Sequence, residues 1–227
     1  MHLKRFFRRL AGMRGREYLQ RVGALESLRS GAAEEIPADF SDLSNLHRIV
    51  RRRKPKVILE FGTGFSTIVM AHALYQNGGG RLYCIDSSEY WINNLASKLP
   101  PRLTEFVDLR VSKTTIGVHN GELCHFYEAL PNVVPDFIYL DGPASTDVGG
   151  SVRGLSFQPE NGGVRQQIAA DILLYESTLR RGATILVDSR YNNVNFLVRN
   201  LKRRYRIQIN RTLRISKFEL LEHTGRQ

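Results

Sequence analysis

Cysteine is nearly absent from this chain of 227 residues, which holds only Cys84 and Cys124. Two cysteines so far apart have no metal-type spacing and cannot build a disulfide framework, so a reducing compartment is the default expectation. Long apolar runs are also missing; none approaches the ~18 residues that a membrane-spanning helix needs. The N-terminal stretch "MHLKRFFRRLAGMRGREYLQRV" is basic and lacks a continuous apolar segment, so it does not read as a secretory signal. Repeats and low-complexity tracts are absent as well. Acidic residues are few: 22 Asp and Glu against 33 Lys and Arg leave a net charge of +11 and a pI near 10.0. Such an excess favours an anionic partner, whether nucleic acid, a membrane surface or a phosphorylated small molecule.

What is present is the composition of an ordinary globular protein, 42% hydrophobic and 24% charged, long enough for one large α/β domain. The positive charge is clustered. Residues 1–30 carry eight Lys and Arg against Glu17 and Glu26, and further knots lie at 51–56 ("RRRKPK") and 199–217. Leu3, Phe6, Phe7 and Leu10 follow helical spacing. Residues 1–30 therefore read as one amphipathic helix or two short ones, able to dock on the domain, pair with a second subunit or lie on an anionic membrane. Residues 31–40 read as a linker. The domain division expected is a basic helical extension with linker over 1–40 and one ligand-binding domain over 41–227. The expected location is cytoplasmic, with peripheral contact at the inner face of the membrane through residues 1–30.

From residue 41 apolar strands alternate with helices. "SDLSNLHRIVRRR" reads as a helix with Ser41 as N-cap. "KVILEF", "RLYCID", "EFVDLRVS", "DFIYLD" and "ATILVDS" read as strands, and "STIVMAHALYQN", "SSEYWINNLASKL", "VRQQIAADILLYESTLRR" and "NVNFLVRNLKRRY" as helices. "RIQINRT" and "ISKFELLE" read as an antiparallel pair. The fold class expected is α/β: a doubly wound, Rossmann-like, mostly parallel sheet with helices on both faces and an antiparallel C-terminal strand pair. In such sheets ligands sit beyond the carboxyl ends of the strands, at the topological switch point.

Those ends carry a consistent set of residues. The first strand runs into Glu60, Phe61, Gly62, Thr63 and Gly64. Asp86 and Ser87 close the second, Ser112 the third, Asp141 the fourth and Asp188 the fifth. Glycines at 62 and 64 let the backbone turn sharply and approach a ligand. Asp86 stands about 22 residues beyond the turn, near the ~20 typical of an acid that holds a ribose diol. A carboxylate accepts two hydroxyl hydrogen bonds at once, so a nucleoside is expected in the ligand. The dinucleotide pattern G-x-G-x-x-G is incomplete, because position 67 is Thr. An acid at position 60 also opposes a pyrophosphate at the helix N-terminus, whereas it welcomes the ammonium and sulfonium of S-adenosylmethionine.

"ILEFGTGFST", "LYCIDSSEYWINNL", "PDFIYLDGP" and "RRGATILVDSR" resemble successive motifs of class I S-adenosylmethionine-dependent methyltransferases, over about residues 41–215. The style is closest to bacterial O-methyltransferases of small or sugar-like acceptors, and is also similar to plant glucuronoxylan O-methyltransferases. The resemblance implies that Glu60, Gly62 and Gly64 surround the methionine end of the cofactor, with Phe61, Thr63, Ser66 and Thr67 also in the cofactor site. It places Asp86 and Ser87 at the ribose, Ser112 by the adenine and Asp141 at the transferring methyl. Trp91 would wall the adenine side or simply pack in the core.

Methyl transfer from a sulfonium is an in-line displacement, helped by a base where the acceptor is a hydroxyl. Asp141 is the first candidate base, followed by His119 and His125 in the insert "GVHNGELCHF". Catechol-type O-methyltransferases bind a divalent cation through an acid after strand four and an Asp-Asn pair after strand five. Here Asp141 and Asp188 are present, but Ser189 stands in the Asn position, with Asn192 and Asn193 slightly later. Mg²⁺ or Mn²⁺ is the ion such oxygen ligands would suit. Residues 142–165 form a long polar loop in which Arg153 and Arg165 could bind a phosphate or carboxylate of the acceptor, and Asp188 is a further candidate for contact with the acceptor. The acceptor expected is a sugar or other small hydroxylated molecule, one that could carry a phosphate. RNA is the second reading, encouraged by the basic knots. Against RNA stand the lack of an RNA-binding module and of an aromatic beside "DGPA". The same residues leave room for a non-catalytic or membrane-associated partner protein that keeps the fold, for an NAD-dependent enzyme and for a homo-oligomer.

Overall fold

The computed structural model describes residues 2–30, 38–163, 165–210 and 214–222. Three helices come first: α1 (His2–Arg21), α2 (Ala24–Ser30) and α3 (Phe40–Arg53). Then follow β1 (Val57–Phe61), α4 (Phe65–Asn77), β2 (Arg81–Asp86), α5 (Glu89–Lys98), a short α6 (Pro101–Thr104) and β3 (Val107–Val111). A hairpin of β4 (Thr114–His119) and β5 (Glu122–Tyr127) precedes β6 (Phe137–Leu140). The last elements are α7 (Ile172–Tyr175), β7 (Thr184–Asp188), α8 (Tyr191–Asn200), β8 (Tyr205–Asn210) and β9 (Ile215–Leu220).

Seven strands form one sheet in the order β3-β2-β1-β6-β7-β9-β8. The first five are parallel, β9 runs antiparallel to β7, and β8 pairs antiparallel with β9. The expected fold class is therefore the observed one, including its antiparallel C-terminal pair. Apolar residues occupy both faces of the central strands because helices cover both. Ile58, Leu82, Phe137, Tyr139 and Leu186 pack in one core with residues of α3 and α4. Leu59, Phe61, Ile138, Leu140, Ile185 and Val187 alternate with them and pack in the other, against α7 and α8. Leu19, Ala24, Leu25 and Leu28 of the N-terminal helices belong to the first core, so this basic segment is packed onto the domain. Tyr18 Oη lies 2.9 Å from His47 Nδ1, and His47 Nε2 lies 3.1 Å from His72 Nδ1, which ties α1, α3 and α4 by a neutral hydrogen-bond chain. The stripe side chains Leu3, Phe6 and Phe7, and linker residues 31–37, lie outside the described residues.

Two expectations of secondary structure need correction, and one insert had none. The N-cap of α3 is Asp39, whose Oδ1 accepts from Ser41 N at 3.1 Å, and not Ser41. The insert 117–126 is a hairpin; Asn120 and Gly121 both have positive φ, the turn that an Asn-Gly pair favours between twisted strands. The long helix over 164–181 does not form. Ile168 O accepts from His125 N (2.8 Å), Ala170 N donates to His125 O (3.1 Å), and the Asn193 amide brackets Ala169. These lateral bonds hold 168–170 extended beside β5, and only α7 and a following 3₁₀ turn, Glu176–Thr178, are helical.

Candidate functional site

The switch point lies between β1 and β6, where the strand order reverses direction. A cavity of about 410 Å³ opens there, beyond the strands' carboxyl ends. It is lined by Gly62, Thr63, Gly64 and Ser66 of the turn, by Asp86 and Trp91, and by Asp141 and Asp188. Four strand ends thus meet at one place.

The two glycines do different work. Gly62 has φ +95°, and a Cβ on it would stand 2.6 Å from Gly142 N. Gly142 in turn donates to Phe61 O (2.7 Å), so the two turns touch backbone to backbone, with no space for a side chain between them. Gly64 has nothing within 4 Å of its Cβ position. Its bareness leaves the cavity open at the N-terminus of α4.

Glu60 does not face the cavity. Strand alternation turns it under α4, where it is fully buried. Ser66 Oγ donates to one of its oxygens at 2.6 Å, and Thr67 Oγ1 donates to the other at 2.7 Å. Cys84 Sγ lies 3.1 Å from that second oxygen. Thr67 Oγ1 also accepts from Gly64 N (3.1 Å), so Glu60 holds the turn from behind. Burial pushes its carboxyl up to about 7 despite these donors.

Asp86 faces the cavity with both oxygens engaged. Oδ2 accepts from Thr63 N (2.8 Å) and Thr63 Oγ1 (3.0 Å), and Oδ1 accepts from Ser88 N (2.9 Å). Burial raises its carboxyl above the usual range, opposed by those donors. Ionised, it keeps one lone pair free, and a ligand hydroxyl taking the place of the Thr63 hydroxyl would engage a second. Asp141 opens onto the cavity yet lies deep among protein atoms. That desolvation, with Asp188 and Glu60 nearby, pushes it up to about 7, while Arg190 pulls it down. Asp188 accepts from Tyr139 Oη (3.2 Å) and Ser189 Oγ (3.0 Å), and burial raises it too.

Other expected residues stand elsewhere. Phe61 and Thr67 are buried beneath the turn. The Ser87 hydroxyl is buried without a protein partner. Ser112 sits behind the end of β2, its N donating to Asp86 O and its Oγ accepting from Ala129 N. His119, at the end of β4, packs edge-on to Phe196 of α8. His125 is buried between Tyr127 and Phe157, and burial lowers it to about 3. Neither histidine lines the cavity, because the hairpin carries both away from the strand ends. Arg153 sits exposed in a turn, and Arg165 donates to Ser156 O (2.7 Å) within its own loop; neither reaches the cavity.

The sequence reading missed one wall. Ala38, Asp39, Asp42 and Leu43 at the start of α3 line the cavity, as do Asp147 and Arg190. Among the described lining residues six are aspartates and one, Arg190, is a base. A strongly basic protein thus has an acidic pocket.

A family of methyltransferase domains, Methyltransf_24, matches residues 59–189. The chain belongs to that family. It is a methyltransferase, and the matched span runs from Leu59 in β1 to Ser189, enclosing every strand-end acid described above. Among solved structures it is similar to the O-methyltransferase TomG from Streptomyces achromogenes, involved in tomaymycin synthesis and crystallised with S-adenosylmethionine. That likeness has 16% identity, coverage of 91% of this chain and 90% of the other, and a TM-score of 0.50. It is also similar to a methyltransferase from Geobacter sulfurreducens, at 14% identity, 88% coverage of each chain and a TM-score of 0.50. Cofactor-bound Rv0187 from MTB gives 15% identity, 88% and 89% coverage and a TM-score of 0.50. No curated protein matches the chain. At these identities the solved structures establish the fold: this methyltransferase has the class I architecture. No described helix is long and apolar enough to cross a membrane.

The displaced titrating groups of this methyltransferase shape its stability profile. Burial lowers His47 and His125 to about 3 and His72 to about 4, so between those values and 6.5 the unfolded chain binds more protons on histidine. Burial raises Glu60 to about 7 from 4.5, and Asp141 and Asp171 to about 7 from 3.8, so between those limits the folded chain binds more protons on these acids. Three histidines and these three acids oppose each other up to pH 6.5, and the smaller rises at Asp86 and Asp188 add to the acids' side at the lower end of that range. Above 6.5 only the acids act, and stability falls as pH rises to about 7. Thermal melts of the apo protein should therefore be nearly level over about pH 5–6.5 and decline above it. A steady rise through pH 7 would contradict the raised carboxyls of Glu60, Asp141 and Asp171.

Proposed function

We propose that this methyltransferase uses S-adenosylmethionine to methylate a hydroxyl oxygen of a small, sugar-like or otherwise hydroxylated acceptor. The acidic character of the cavity carries the reading. Six aspartates and a single arginine suit a donor whose reactive end carries an ammonium and a sulfonium, and they oppose a dinucleotide pyrophosphate. When bound, S-adenosylmethionine supplies an electrophilic methyl group.

The chain's own residues do the rest. Asp86 holds the ribose hydroxyls, and the open edge of Gly64 admits the methionine end. Asp39 and Asp42 at the start of α3 stand on the wall that an ammonium would approach. Asp141 accepts the proton of the acceptor hydroxyl; a carboxyl near 7 is half ionised at neutral pH and basic enough to be useful. The enclosing walls of the cavity orient donor and acceptor for in-line attack. The absence of Arg153 and Arg165 from its lining favours an acceptor without a phosphate.

A divalent cation fits this site poorly. No group of three His, Cys, Asp or Glu side chains is placed to hold a metal among the described residues. Each oxygen of Asp188 accepts one hydroxyl bond, and the amide of Asn193 is committed to Ala169, so it cannot complete the Asp-Asn pair. No step is therefore assigned to Mg²⁺ or Mn²⁺.

Calorimetric titration with S-adenosylhomocysteine, beside NAD and after removal of trace metal, tests the donor. Micromolar binding of S-adenosylhomocysteine with none of NAD is expected. A folded sample that binds only NAD would overturn the reading.

A further inference from the structure

We infer that the guanidinium of Arg190 is the fixed cation of the site, placed where a divalent ion would otherwise bridge Asp141 and Asp188. The inference rests on the methyl-transfer reading for its meaning, although its test does not need turnover.

Arg190 follows the end of β7 by two residues and opens α8. The intervening Ser189 has φ +53° and its N donates to Arg214 O (2.7 Å), a turn that sends the next side chain across the strand ends. There Arg190 Nη2 donates to Asp141 O and to Pro143 O (2.9 Å). Gln167 Nε2 donates to the same Pro143 oxygen at 2.8 Å. One cation thus clamps the turn that carries Asp141 from the neighbouring strand.

The clamp leaves the charge facing the cavity that Asp141 and Asp188 also line. Its Nε is buried and has no hydrogen-bond partner in the protein. Among the described residues no third acidic or imidazole side chain joins the two carboxylates to complete a metal site. A guanidinium here balances them and repels a dication at short range. Arg190 is a positioning residue in this arrangement: it sets the Asp141 turn and supplies the counter-charge without reacting.

Mn²⁺ is the probe. Its binding to the full chain is followed by electron paramagnetic resonance for wild type, Asp188→Asn, Arg190→Ala, Arg190→Lys and the double variant Arg190→Ala/Asp188→Asn. Calorimetry with S-adenosylhomocysteine and thermal melts are run on each. Wild type and Arg190→Lys should leave Mn²⁺ free. Arg190→Ala should gain affinity of roughly tenfold or more as the repelling charge is removed, and the added Asp188→Asn should abolish the gain. A purely structural arginine would not create a metal site that depends on Asp188. Saturable Mn²⁺ binding to wild type, lost in Asp188→Asn, would overturn the inference even if Arg190→Ala failed to fold. A folded Arg190→Ala with no gain would overturn it as well. Failure of S-adenosylhomocysteine binding by wild type would instead count against the methyl-transfer reading and leave the metal result standing by itself.

Discussion

Asp86→Ala should lose S-adenosylhomocysteine binding by a factor of about 10² to 10⁴. Two hydrogen bonds from ribose hydroxyls to a charged acceptor contribute roughly 3–6 kcal/mol together. The carboxylate also organises its surroundings: it accepts from Thr63 N, Thr63 Oγ1 and Ser88 N. Alanine therefore removes the ligand's acceptor and loosens the turn that precedes α4, and both effects lower affinity. Asp86→Asn separates them. It keeps one oxygen and most of the shape, so it should fall between wild type and alanine. Calorimetry reads the affinities, and a thermal melt shows that each variant is folded. Unchanged affinity in a folded Asp86→Ala protein would refute the ribose assignment.

Much of this site is legible in the sequence because an acid at the end of a buried apolar run has few places to go. Asp86, Asp141 and Asp188 each follow such a run, and the parallel sheet delivers all three to one edge. Glu60 looks like a fourth member, but it lies inside its strand. Alternation puts it on the face of Ile58, beneath α4, where Ser66 and Thr67 take both oxygens. The Ser-Thr pair six and seven residues on is the local signal for this. Asn120-Gly121 similarly announces the hairpin that removes His119 and His125 from the cavity. The start of α3 was not legible as a wall, since its contact with the strand ends depends on how three N-terminal helices pack. Nor was Arg190, whose role depends on a left-handed residue before it and on two carbonyls of a distant turn. The helix expected over 164–181 has a reasonable local pattern, and lost to lateral hydrogen bonds from His125 and Asn193 that no local pattern contains.

Asp141→Asn should leave S-adenosylhomocysteine binding near wild type and cut turnover by about 10² to 10⁴, the usual worth of a positioned general base. The amide keeps the volume and the Asp141 N to Phe61 O bond (3.0 Å), and leaves the backbone oxygen that Arg190 grips. What it loses is the capacity to take a proton. The pH profile adds a second check. Burial, Asp188 and Glu60 raise this carboxyl to about 7, so the fraction of enzyme with an ionised base grows as pH rises through that value. Turnover of wild type, read as S-adenosylhomocysteine release with an acceptor found by screening, should rise through pH 7 and level off above it. The asparagine variant should lack that limb. Full turnover in Asp141→Asn would remove the residue from proton transfer, whereas a lost limb with weakened cofactor binding would mark it as a cofactor ligand instead. Asp86 and Asp141 therefore answer different questions: one variant fails to bind, the other binds and fails to react, and only a site that divides binding from chemistry between neighbouring strand ends gives both results.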